Sequence, residues 1–148
     1  METNTIKLHR VFKTDRDKIY NAFLDPAAMC KWLPPNGFTG TVHHSDVRVG
    51  GSYKMSFTNF GTGSGHSFGG EYLELVPGER IVHTDKFDDA NLPGEMTTTI
   101  TFKQTQMGTD VNITQEGVPA AIPAEACYLG WQESLNLLAL LVEADIPG

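Results

Sequence analysis

The 148-residue chain is poor in the features that would assign it a chemistry directly. It has only two cysteines, Cys30 and Cys127, far apart and in apolar or helical surroundings. They predict buried free thiols in a reducing cytoplasm, with a disulfide between them as the alternative. Basic residues are few: 11 Lys and Arg stand against 18 Asp and Glu, a formal net charge of −7. Nucleic acid and anionic membrane both need a basic footprint, so neither is expected as a partner. No apolar run approaches the roughly 18 residues of a membrane span, and the opening METNTIKLHRVFK has no apolar core of signal-peptide length. A cytoplasmic protein of one domain, 1–148, follows as the expectation, able to bury about 70% of its unfolded surface. Metal motifs are missing as well: no CxxC or HExxH spacing occurs among the five histidines His9, His43, His44, His66 and His83. His43 and His44 are neighbours in a strand-like stretch, so alternation points them to opposite faces. No metal and no cofactor is expected.

What is present is one long amphipathic segment. From Pro123 to Glu143, Cys127, Trp131, Ser134, Leu135, Leu138, Leu141 and Val142 share one face of a 3.6-residue wheel. Glu125, Gln132, Glu133, Asn136 and Glu143 mostly fall opposite. Pro123 suits the first turn, where a missing N–H costs nothing, and Glu125 suits the positive end of the helix dipole.

Upstream the period is mostly two. Residues Ile6 to Phe12 read as a strand, and Thr14 or Asp15 can cap a short helix through Ile19, Tyr20, Phe23 and Leu24. Asp25-Pro26 breaks it and starts a second, Ala27 to Trp32. Strands are then predicted at 39–46, 52–60, 71–76, 80–87, 95–103 and 109–116. The glycine-dense stretch 60–70, FGTGSGHSFGG, reads as a flexible hairpin loop, since no GxxxxGK[ST] follows to make it a phosphate cradle. Six or seven antiparallel strands, two short helices after the first and a long C-terminal helix make an α+β domain.

The order of these elements resembles the helix-grip fold of the START-like, or SRPBCC, superfamily. DPAAMCKWLPPNGFTG, DVRVGGSYKMSF, GEYLELVPGERIVHT, GTDVNITQEG and GWQESLNLL are similar to successive signatures of the family named for the activator of the large heat-shock-protein ATPase. The resemblance spans nearly the whole chain. It implies a curved sheet gripping the last helix, with a cavity between them. Members of that family include small-ligand binders, resistance proteins and co-chaperone domains, so the likeness speaks to fold before function. Its eukaryotic co-chaperones carry a client-binding domain ahead of this one, and here the sequence opens on the first strand.

The residues support a cavity independently. If Ile81 faces the core, strict alternation brings His83 and Asp85 inward; Leu73 and Leu75 bring Glu71, and Ile113 brings Gln115. Burying such groups unpaired costs roughly 2–7 kcal/mol, so they need partners, solvent or a ligand. With Trp32, Tyr53, Met55, Phe57, Met96, Thr98, Tyr128 and Trp131 they would line a mainly apolar pocket with a few orienting groups. Cys127 near a helix N-terminus and the two tryptophans read first as packing, and Ser134 as a small residue where helix meets sheet.

Three functions follow. A binder of a small hydrophobic or amphipathic molecule is favoured, because no nucleophile–base pair is recognisable. An enzyme would use His83 with Asp85 or Glu71 as acid–base groups, as cyclase-like relatives do. A co-chaperone would act on a heat-shock ATPase through its surface. A homodimer is compatible with all three.

Overall fold

The computed structural model describes residues 3–148. Its elements run β1 (Thr3–Phe12), α1 (Arg16–Ala22), α2 (Pro26–Trp32), β2 (Phe38–Ser45), β3 (Ser52–Asn59), β4 (Gly65–Val76), β5 (Arg80–Phe87), β6 (Met96–Thr105), β7 (Gly108–Pro119) and α3 (Ala124–Val142). The seven strands form one antiparallel sheet in the order β1-β7-β6-β5-β4-β3-β2. Consecutive strands pair by hairpins except β1, which closes on β7. The α+β helix-grip architecture is therefore the one expected from the sequence.

Local chemistry sets the helix starts. Asp15 accepts from the Lys18 N–H at 2.9 Å and Asp25 from the Ala28 N–H at 3.0 Å, each satisfying a donor the first turn leaves free. The Trp32 indole donates to the Ala22 carbonyl at 2.8 Å, tying α2 back onto α1. Phe23 meets Trp32 edge-on at 4.8 Å and Phe102 at 5.4 Å, so this helical pair is joined to the sheet by aromatic contacts. The apolar stripe of α3 lies over β1, α1 and α2, with Leu135, Leu138, Ala139 and Val142 in the core.

Two expectations are corrected. Gly65 to Gly70 is not part of a flexible loop but the first half of β4, and the connecting loop is only residues 60–64. Its glycines are spacing devices: a Cβ on Gly70 would stand 1.7 Å from the Thr84 carbonyl oxygen. The second correction is a bulge. Tyr72 pairs with His83, but Glu74 pairs with Val82, leaving Leu73 as an extra residue. The strand reverses face there, so Tyr72 and Leu75 both point inward while Leu73 and Glu71 are exposed. His43 occupies a similar irregularity in β2, and it and His44 are both exposed. Cys30 and Cys127 are free thiols, half-buried rather than buried.

Candidate functional site

Between the sheet and the first half of α3 lies a cavity of about 250 Å³. Its floor comes from Tyr53 (β3), Tyr72 (β4), His83 and Asp85 (β5), Met96 and Ile100 (β6) and Gln115 (β7). Met29, Trp32, Leu33 and Pro35 close one side, and Cys127, Gly130, Trp131 and Ser134 of α3 form the roof. Phe57, His66, Phe68 and Phe87 gather toward the β3–β4 hairpin, with Phe57 4.9 Å from Phe68 and 5.7 Å from His66. The wall is thus mostly aromatic and sulfur-bearing.

Of the residues expected at a pocket, Trp32, Tyr53, Phe57, His83, Asp85, Met96, Gln115 and Trp131 border this void. Four do not. Met55 is sealed in the core, and Thr98 is fully buried with its hydroxyl committed to Asp85. Tyr128 is 42% exposed on the outer side of α3. Glu71 lies on the other face of the sheet because of the Leu73 bulge, among Lys54, Lys86 and Asp88. Sequence reasoning missed His66 and Phe68 by treating the start of β4 as loop, and Tyr72 by carrying strict alternation from Leu75 through Leu73 to Glu71. It also missed Gly130, whose signal was available as a glycine in mid-helix, where it costs about 1 kcal/mol relative to alanine.

One polar chain crosses this apolar surface. Asp85, 6% exposed, accepts from the Tyr53 hydroxyl and from Thr98 Oγ1 at 2.7 Å, and His83 Nδ1 lies 3.2 Å from its other contact oxygen, Oδ1. Gln115 Nε2 donates to Thr98 Oγ1 at 3.2 Å, while Trp131 Nε1 donates to Gln115 Oε1 at 3.0 Å and Cys127 Sγ reaches the same oxygen at 3.5 Å. Ser134 Oγ donates to the Leu33 carbonyl at 2.7 Å, so it ties α3 to the end of α2 rather than to the sheet. Among the described residues no buried side-chain nitrogen or oxygen lacks a partner.

The ionisations follow from these contacts. Burial pushes the Asp85 carboxyl up, but His83 and the Tyr53 and Thr98 hydrogen bonds outweigh it, and its pKa falls below the ordinary value. For His83, burial disfavours the cation, yet the Asp85 charge, its hydrogen bond and the Thr84 carbonyl at 3.2 Å prevail and raise the pKa. Desolvation and Asp85 raise Tyr53 well above its ordinary value and push Tyr72 up to about 12. Burial also raises the Cys127 thiol, which argues against a reactive thiolate at the α3 N-terminus. Among the described residues no three His, Cys, Asp or Glu side chains are grouped to hold a metal ion, and no helix is long and apolar enough to cross a membrane.

Comparison with known proteins agrees with this architecture. The model of the family described as Activator of Hsp90 ATPase homolog 1-like protein matches residues 13–143. A solved structure of a protein from Chromobacterium violaceum is 60% identical, covers 96% of this chain and 99% of its own, and superposes with a TM-score of 0.95. An AHSA1-like protein from Aeromonas hydrophila, 19% identical over 95% of this chain and 92% of its own, superposes at 0.76 and shares the fold. A Rhodobacter sphaeroides protein does so at 0.85 with 19% identity, covering 96% and 93%. No curated protein matches. The chain belongs to the Activator of Hsp90 ATPase homolog 1-like family.

Proposed function

We propose that this family member binds one small hydrophobic or amphipathic molecule in the cavity beneath α3. The observation that carries the reading is the void itself, about 250 Å³ and walled mainly by aromatic side chains. A void of about 150 Å³ takes benzene, so this one suits a molecule of about two fused rings. Gly130 supports it further. Nothing lies within 4 Å of where its Cβ would be, so no neighbour requires a glycine there, and what its bareness preserves is room.

The test is uptake of naphthalene, read by intrinsic fluorescence and thermal shift, in the parent protein and in Gly130→Leu. The parent should saturate and gain thermal stability; the variant, with the void filled, should stay folded and take up none. Equal uptake by both would put the binding surface elsewhere.

A second reading draws on one distance. His83 Nδ1 is 3.2 Å from Asp85 and the ring borders the cavity, which meets the geometric requirement for an acid–base pair. Glu71 is out of reach of that role. His83→Gln separates the two: a binder changes affinity by about 1 kcal/mol, whereas an acid–base enzyme loses about 10²-fold or more in turnover. The family description raises a third, action on a heat-shock ATPase. For this chain, addition to purified Hsp90 is expected to leave ATP hydrolysis unchanged. A cytoplasmic site of action, with no nucleic acid or membrane partner, is consistent with the free thiols and acidic balance. A homodimer is compatible with the same reading.

A further inference from the structure

The polar atoms that face the cavity can be counted against their partners. The Asp85 oxygens are taken by Tyr53, Thr98 and His83 Nδ1. The Gln115 oxygen is taken by Trp131 and Cys127, and the Ser134 hydroxyl is spent on Leu33. Three polar groups that border the void make no protein hydrogen bond among the described residues: the Tyr72 hydroxyl, the His66 ring and His83 Nε2. Of these, only the His83 ring, its side chain 18% exposed, is also tied to the buried Asp85 carboxylate. A carboxylate is acceptor-only, so Asp85 holds a proton on Nδ1. Nε2 therefore accepts when the ring is neutral and donates when it is charged.

From this geometry we infer that the ligand is a compact hydrophobic acid: a body of about two rings carrying one ionisable oxygen, carboxyl or phenolic, seated against His83 Nε2. The inference rests on the cavity-binding reading and sharpens it. Such a group fits both states of the ring. As A–H it donates to neutral Nε2; as A⁻ it accepts from the imidazolium, and the complex holds the same number of protons either way. A hydrocarbon would leave Nε2 without a partner, and an ammonium could pair only with the neutral ring and would be repelled by the imidazolium, whereas an acid pairs with both. The other titratable groups facing the ring's surroundings are Tyr53 on β3, Tyr72 and His66 on β4 and Cys127 on α3. Tyr53, Tyr72 and Cys127 are all shifted toward their protonated, neutral forms. The side chains that α2 and β6 bring to the void, Met29, Trp32, Met96 and Ile100, carry no charge.

Binding of an anion to the neutral ring draws one proton from solvent, A⁻ + His + H⁺ giving A⁻ paired with HisH⁺, and that proton is the readout. Titration calorimetry at pH 8 in phosphate and in Tris, which differ in ionisation heat, would use 1-naphthoate, 2-naphthol, naphthalene and 1-naphthylmethylammonium. Naphthoate or naphthol should bind about tenfold or more tighter than naphthalene and the ammonium, the worth of one charge-assisted hydrogen bond. A carboxylate ligand shows proton uptake that grows as pH is raised and the free ring loses its proton; a phenolic ligand shows the preference with little uptake. His83→Gln should abolish both the preference and the uptake while naphthalene binding persists, which also reports that the variant is folded. Equal binding of all four probes, or an acid preference that survives His83→Gln, overturns this inference and leaves the cavity reading standing. Binding of none overturns both.

Discussion

The two halves of α3 lie in opposite surroundings. From Ser134 to Val142 the inward side chains are sealed: Leu138 has no exposed surface, and Leu135 and Val142 have almost none. That half is also fastened at its end, where Glu143 accepts from the Lys13 N–H at 2.9 Å and Lys18 Nζ donates to the Ala144 carbonyl at 3.0 Å. From Ala124 to Gly130 no residue is buried, the N-cap Pro123 offers no side-chain hydrogen bond, and the inward residues Cys127 and Gly130 border the cavity. One half holds the fold together and the other roofs a chamber. A domain of this size can hold such a void because the rest of its core is filled.

The sharpest way to break the contrast is truncation on each half. Leu138→Ala should lose about 2–5 kcal/mol in denaturant unfolding, and Leu129→Ala, exposed on the other half, within about 0.5 kcal/mol. Similar losses at both would show the halves to be equally packed.

Next is Trp131→Ala. A fully buried tryptophan costs about 3–5 kcal/mol on truncation, but Trp131 is half-buried and already borders a void, so about 1–2 kcal/mol is expected. Naphthalene uptake should weaken more than stability does; the reverse order would make Trp131 a core residue.

A pH series on thermal stability examines the open half alone. Asp85 has a lowered folded pKa, so its stabilisation is full above the ordinary carboxylate value near 3.9 and is lost as pH falls through the folded one. His83 has a raised one, so its contribution is full below about 6.5 and is lost as pH rises through the folded value. Tyr53 and Tyr72 add a further loss above about pH 10, because the folded state keeps their protons longer. His83→Gln should remove the decline that begins near neutrality, weaken the acid limb because His83 is the main group holding Asp85 ionised, and leave the tyrosine limb in place. An unchanged neutral limb would detach His83 from Asp85.

The smallest effect should be a gain. Gly130→Ala places a methyl where nothing lies within 4 Å and improves helix propensity by up to about 1 kcal/mol. Stability that falls instead would mean the roof is closer to the floor than it stands here.

Much of this division could be read from residues alone. The 3.6-residue spacing of Leu135, Leu138 and Val142 gave the sealed half of α3, and Asp25-Pro26 marked the start of α2 to within a residue. Inward alternation from Ile81 located His83 and Asp85 correctly, because β5 runs against β6 without a bulge. The same rule failed on Glu71 because β4 does not keep its parity past Leu73, and a bulge leaves no mark in a hydrophobic pattern. Gly65 to Gly70 escaped notice as a strand since the need for bare residues arises from Thr84 and Tyr53 on neighbouring strands. Cys127 and Gly130 become cavity residues only through the placement of α3 over Gln115, a relation between distant segments that local periodicity does not carry.

The sheet order has a consequence for how the chain assembles in time. Every strand from β3 to β7 meets its predecessor across a short connection, whereas β1 pairs Thr3 with Pro119 and Phe12 with Thr109. Closing local hairpins costs little loop entropy, while the β1–β7 ladder and the seating of α3 must wait until nearly the whole chain is available. On a ribosome the first strand made is thus the last to find its partner, left with an unpaired edge and the apolar face of Ile6, Leu8 and Phe12 uncovered. Its exposed face carries Lys7 between Ile6 and Leu8, a charge that opposes edge-to-edge association during the interval. The rate at which this latch engages, rather than the meander itself, would then set the pace of folding.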